Sequence, residues 1–210
     1  MADNLEWSKD PLVKLENAVL PVLGLGQSMI CNALALGEVS DRSAQFGIFD
    51  TAIRMLQKDA TEMLMARDIR ADPIALLPLK TAAKAVEDVC TALQTALFGP
   101  LTPAYAMSLL AQITDKMVPA INDALDAYRK IFIGHVIAQQ FAHAKQAQEA
   151  IGRLDKISKQ IFFISINASV EAARVGDAGR GFTQISSDIR ALSQSAQDAT
   201  RNLSDLVQDG

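Results

Sequence analysis

Between Ala147 and Leu206 apolar side chains recur every three or four residues on both sides of a glycine-rich break, and few folds can accommodate that pattern. Upstream of the break, Ala147, Ala150, Leu154, Ile157, Ile161, Ile164 and Ala168 follow one another at spacings of 3, 4, 3, 4, 3 and 4. Downstream, Phe182, Ile185, Ile189, Leu192, Ala196, Ala199, Leu203 and Leu206 continue at 3, 4, 3, 4, 3, 4 and 3. An average repeat of about 3.5 residues draws one continuous stripe along a slightly underwound helix, the signature of coiled-coil packing. The break itself, Gly176-Asp177-Ala178-Gly179-Arg180-Gly181, suits a chain reversal. The two arms therefore predict an antiparallel helical hairpin, each arm roughly 28 residues or about 42 Å long. A lone pair of helices hides one stripe on each. A second apolar set on the upstream arm, Phe162, Phe163, Ile166 and Val170, needs further cover, which predicts self-association into a four-helix bundle.

The rest of the chain reads as helix too. Aromatics are only 5% of the 210 residues, and the Ala- and Leu-rich composition lacks the β-branched and aromatic side chains of a sheet. Helix starts are predicted at Asp10-Pro11, Asp72-Pro73 and Thr102-Pro103, where a side-chain oxygen can cap a backbone NH and proline gives up an NH that has no partner. Another start is expected at Ser40 or Asp41 after Gly37, opening a helix that reaches Arg70 with Phe46, Phe49, Ile53, Leu56, Met63 and Leu64 on its apolar face. The next helix should end near Phe98, before Gly99-Pro100. Pro119 is expected to start or kink a helix that then runs to Val175. The predicted class is all-α: a helical bundle over 1–118 and an antiparallel coiled-coil hairpin over 119–210 with its tip near 176–181.

Ala18 to Gly37 is twenty residues without a charge, long enough to span a bilayer. It contains Pro21, Gly24, Gln27 and Asn32, and the segment before it carries more acid than base, the reverse of an inside-positive anchor. The expectation is a buried bundle helix and a cytoplasmic protein that does not enter a membrane. A net charge of −4 offers no basic footprint for nucleic acid. Cys31 and Cys90 stand alone and read as buried thiols, and Trp7 with Met55, Met63 and Met65 reads as core packing. His135 and His143 lie two helical turns apart, too far for one metal ion, and Gly24-x-Gly26 lacks the strand and third glycine of a dinucleotide fingerprint. No nucleophile–base pair or clustered carboxylate set stands out, so the chain is expected to be neither an enzyme nor a holder of metal or cofactor.

The residues around the break resemble the cytoplasmic signalling tip of methyl-accepting chemotaxis proteins. The run Asn167-Ala168-Ser169-Val170-Glu171-Ala172-Ala173-Arg174-Val175-Gly176-Asp177-Ala178-Gly179-Arg180-Gly181-Phe182, followed by Asp188-Ile189-Arg190-Ala191-Leu192, is close to that family's N-A-A-I-E-A-A-R-A-G-E-x-G-R-G-F and E-V-R-x-L, and the likeness extends over about 147–207. The resemblance implies an α-helical homodimer whose tip binds a CheA-type histidine kinase and a CheW-type coupling protein, with dimers able to join as trimers. It implies a partner-binding patch at Val175, Phe182, Gln184 and Ile185, with Gln184 where the family usually has Val. It implies contacts between dimers at Phe163, Asn167, Glu171, Arg174 and Arg190, and a turn formed by Gly176, Asp177, Gly179, Arg180 and Gly181. The function so implied is modulation of the kinase by a signalling hairpin over 119–210, with 1–118 as an input or anchoring module. The alternative is a non-sensory adaptor that competes for places in chemosensory arrays, which the short arms favour.

Overall fold

The computed structural model describes residues 9–36, 43–97 and 101–208. Every regular element among them is helical. In chain order these are α1 (Pro11–Leu36), α2 (Ser43–Arg54), a π-helical segment (Met55–Asp59), α3 (Ala60–Met65), α4 (Leu77–Leu97), α5 (Pro103–Gln112), a second π-helical segment (Ile113–Met117), α6 (Val118–Arg174), a 3-10 turn (Gly176–Gly179) and α7 (Arg180–Gln208). The helix start expected at Ser40 or Asp41, the break at Gly99-Pro100 and the core role expected of Trp7 lie outside the described residues.

Two of the three proline starts form as the sequence predicts. The Asp10 carboxylate accepts from the Leu12 backbone NH at 2.8 Å and α1 begins at Pro11. The Thr102 hydroxyl accepts from the Tyr105 NH at 3.3 Å, with Pro103 at the first helical position. The third start is delayed. Asp72 accepts from the Ile74 NH at 2.9 Å, but this closes a turn, and α4 begins only at Leu77. Pro78 is the physical reason: it has no NH to return to the Ile74 carbonyl, which accepts instead from the Leu77 NH at 3.1 Å in a tighter turn. The expected helix to Arg70 also stops early, at Met65. Asp68 takes φ 58°, the Ile69 NH returns to the Leu64 carbonyl at 3.0 Å and the Asp68 NH to Met65 at 3.0 Å. That double return is a Schellman ending, with Ile69 and Leu64 both buried beneath it.

Pro119 is the second residue of α6, which runs to Arg174 much as expected, but the helix ahead of it does not stop. Immediately before it the chain widens into the second π segment, where the Val118 NH donates to the Ile113 carbonyl five residues back. Widening the ladder by one residue accommodates the lost NH and the bulk of the ring, so the helix passes through.

The chain divides into two compact units, 1–136 and 137–210. The first is a bundle whose core reaches beyond the expected boundary at 118/119, because Ile121, Ala124, Leu125 and Tyr128 of α6 are buried in it. Helix α1, which carries Lys14 and Glu16 ahead of the charge-free run, is long and apolar enough to cross a membrane by length and composition, and it contributes Leu15, Val19, Val22, Met29 and Ile30 to this core. Burial of each such side chain stabilises the bundle by about 1.5 to 3 kcal/mol. Gly26 marks the closest packing: a β-carbon there would lie 3.0 Å from Ile113, 3.6 Å from Leu93 and 3.7 Å from Phe49. The two thiols part company, since Cys90 is buried as expected whereas Cys31 is exposed. Tyr128, fully buried, donates its hydroxyl to the Ala60 carbonyl at 3.3 Å, and burial pushes its phenol up to about 12.

The second unit is the helical hairpin, but its seam is not the one the apolar repeat suggests. The side chains hidden between its arms are small: Ser158, Ser165, Ala172, Gly179, Ser186, Ser193 and Thr200, each seven residues from the next. Gln148 donates to Ser204 at 3.1 Å and Arg190 to Ser169 at 3.1 Å, both across the seam. The large apolar residues stay exposed, Leu192 at 71% and Ile164 at 65%. On both arms every second stripe residue precedes a seam residue by one position, as Ile157 and Ile164 do on α6 and Ile185, Leu192 and Ala199 on α7. One residue is about 100° of helix rotation, and because the arms run antiparallel the same offset turns both stripes to the same side of the hairpin. Hydrophobic periodicity marks the face that must be hidden; close packing of small side chains decides which neighbour the other arm meets.

Candidate functional site at the hairpin tip

The tip is shaped by two glycines with different physical roles. Gly176 takes φ 70°, the left-handed conformation that ends α6 and reverses the chain. Gly179 presses on the end of α6: a β-carbon there would lie 2.0 Å from the Ala172 carbonyl oxygen and 2.9 Å from its carbon. Gly181, in the first turn of α7, meets nothing within 4 Å. Asp177 and Arg180 bracket the turn with an exposed ion pair at 2.8 Å, and the Thr183 hydroxyl donates to the Gly179 carbonyl at 3.2 Å.

Where the turn closes on α6 there is a shallow groove of ≈ 350 Å³, walled by Ala168, Ala172, Ala178 and Gly179 and rimmed by Glu171, Val175 and Phe182. Val175 and Phe182 are 65% and 70% exposed, so the rim is apolar and open. Of the residues the resemblance assigns to partner binding, the structure brings these two together. Ile185 lies instead on the exposed α7 stripe, and Gln184 donates to Asp188 at 3.0 Å along the same helix.

Phe163, Asn167, Glu171 and Arg174 succeed one another at spacings of 4, 4 and 3 along α6 and so share one face. Glu171 and Arg174 pair at 3.2 Å, both well exposed, and Phe163 meets Phe162 edge-on with ring centroids 6.0 Å apart. Arg190 does not join them. It lies in the seam, bonded to Ser169, and its Nε is buried without a hydrogen-bond partner. The alanine walls of the groove and the partnership of Ser169 with Arg190 carry no hydropathy signal. The seven-residue ladder of small residues from Ser158 to Thr200 points to Ala172 and Gly179 of the groove, but not to Ser169 or Arg190.

An all-helical hairpin with a glycine-closed tip and an open apolar groove belongs to the class of antiparallel helical hairpins that offer their tip as an interaction surface. Residues 105–209, half of the chain, match the family model for the methyl-accepting chemotaxis protein (MCP) signalling domain, and the chain belongs to this family. The match begins well upstream of the motif. The methyl-accepting chemotaxis protein PcaY of Pseudomonas putida is 22% identical over 179 residues, covering 82% of this chain and 31% of that protein. Chemoreceptor McpA of Caulobacter vibrioides is 44% identical over 54 residues, 26% of this chain and 8% of its own length. The biofilm dispersion protein BdlA of Pseudomonas aeruginosa is 30% identical over 71 residues, 34% of this chain and 17% of that protein. The chain thus spans less than a third of the length of these relatives. No solved structure matches it. The family is in general non-enzymatic, and homology supports a chemotaxis signal transducer.

Proposed function

We propose that this protein is a cytoplasmic chemoreceptor-like transducer that acts as a homodimer, binds a CheA-type histidine kinase and a CheW-type coupling protein through the hairpin tip, and modulates the kinase. The observation that carries this reading is the groove at the tip, where Val175 and Phe182 stay exposed around walls of alanine and glycine within the family's motif. Large apolar side chains held open at a rigid turn are the usual anchors of a protein interface. Glu171 on the rim adds a charge that can fix orientation.

Dimerisation is supported by the two apolar stripes. Ile157, Ile161 and Ile164 on α6 and Ile185, Ile189 and Leu192 on α7 lie on one side of the hairpin, each at least 36% exposed. A second copy laid against this side forms a four-helix bundle that hides them. Phe163, Asn167 and Arg174 lie about 60 to 100° around α6 from Ile164, free for contacts between dimers, while Glu171, seven residues after Ile164, borders the dimer stripe and Arg190 bonds to Ser169 in the seam. The bundle unit is the input or anchoring module, covalently continuous with the tip through α6.

The test is binding of the purified chain to its cognate coupling protein and kinase beside the Glu171→Ala, Phe182→Ala double variant. Binding lost in the variant, with helicity unchanged, upholds the reading, and absence of binding at tens of micromolar overturns it. Kinase assays then separate a transducer from an adaptor, which inhibits receptor-stimulated kinase in proportion to dose and never alters the kinase alone.

A further inference from the structure

The bundle unit carries a groove that neither the tip nor the core accounts for. It runs between α4 and the helix formed by α5, the second π segment and the start of α6, as two adjoining hollows of ≈ 610 and 500 Å³ that share Thr81. Both lie in the size range of small-molecule sites. The first is apolar along its floor, with Ile74, Leu77, Pro78, Ala127 and Ile131. Ile74 and Leu77 are 77% and 57% exposed beside a well-filled core, so large apolar surface faces water there. The second holds Lys80, Lys84 and Lys116 over Ala85 and Val89. Lys84 is engaged by Asp88 at 2.8 Å and Glu87 at 3.6 Å. Among the described residues, Lys80 and Lys116 have no ion-pair partner. Lys116 is on the π segment next to Pro119, so the local widening that admits the proline also sets the position of this lysine.

The charges give the groove a direction. Asp123, Asp126 and Lys130 line the apolar hollow, with Asp126 paired to Arg129 at 3.0 Å, so that end carries little net charge. At the other end Asp88 is taken up by Lys84, and two unpaired ammonium groups favour an anion, in a chain of net charge −4. We propose that this groove binds a small amphiphilic carboxylate, with its apolar body on Leu77, Pro78 and Ile131 and its carboxylate between Lys80 and Lys116. Along the facing helix Ile131 and Lys116 lie fifteen residues apart, about 22 Å at 1.5 Å per residue, so the groove is long enough for a medium-length acyl chain. The site does not depend on what the tip binds, and the two are read out separately.

The experiment is calorimetric titration of the full chain with decanoate below its micellar concentration, with decan-1-ol as the uncharged comparison. The variants are Lys80→Gln, Lys116→Gln together and Leu77→Ser alone, each checked for unchanged helicity. The expected result is saturable binding of decanoate, weakened about tenfold by the double glutamine variant and about fivefold by Leu77→Ser, with decan-1-ol bound at least about tenfold less tightly. Absence of saturable binding below about 1 mM overturns the proposal. So does binding that the lysine replacements leave unchanged, as does equal affinity for the alcohol, since the exposed hairpin stripes would then explain the uptake.

Discussion

Replacing Gly179 by alanine tests the reasoning about the tip most directly. The added β-carbon would stand 2.0 Å from the Ala172 carbonyl oxygen, 2.9 Å from its carbon and 3.2 Å from its Cα, all backbone atoms with no rotamer to yield. An ordinary carbon–oxygen contact is about 3.3 Å, so the turn and the end of α6 must part by about 1.3 Å. That movement separates two walls of the tip groove and strains the Thr183 bond to Gly179. Overpacking of this kind costs about 1 to 3 kcal/mol, equivalent to roughly a fivefold to hundredfold increase in opening of the tip. Hydrogen exchange of the amides from 169 to 186 should speed up by that factor in Gly179→Ala. Gly181→Ala is the matched control, because it adds the same methyl where nothing lies within 4 Å and removes a helical glycine, a gain of about 0.5 to 1 kcal/mol. Unchanged exchange in Gly179→Ala, or equal loosening by Gly181→Ala, refutes the assignment of Gly179 as the close-packed residue of the turn.

Other perturbations have equally definite outcomes. Asp68→Gly should raise the bundle's thermal midpoint by the equivalent of about 0.5 to 1 kcal/mol, since it relieves a side chain at φ 58° without removing a contact seen in the structure; a lower midpoint contradicts the Schellman ending. Burial pushes the Cys90 thiol up to about 11 from 9.0 and the Tyr128 phenol up to about 12 from 10.0. The folded state therefore holds protons that the unfolded state releases, so urea titrations should show stability intact below pH 9 and falling through the window from 9 to 12, less steeply in Tyr128→Phe. Finally, Ile164→Glu with Leu192→Glu places charge on both exposed stripes and should abolish self-association in sedimentation while helicity persists. Gln194→Glu, which adds a charge about 200° around α7 from Leu192, is the control and should leave the dimer intact.

Much of the molecule is legible in the order of its residues. The cap-and-proline pairs at Asp10 and Thr102 lead to helices because the capping bond and the missing NH are local. The hairpin follows from two stripes and a glycine-rich break, and the family from the run between Asn167 and Phe182. The local rules miscarry where a second constraint intervenes nearby. Pro78 delays the helix expected at Asp72, and the π segment lets a helix run through Pro119.

Sequence periodicity by itself determined that both arms are helices and which of their faces must be removed from water, because that depends only on the order of side chains along each arm. The tertiary structure alone decided the rest: that the arms meet through the ladder of Ser165, Ala172, Ser186 and Ser193, that both apolar stripes turn to one side, and that Arg190 bonds to Ser169 in the seam. Those outcomes depend on how closely two helices can approach, and the approach is limited by side-chain volume and backbone contact, as at Gly179 against Ala172, which hydropathy does not record.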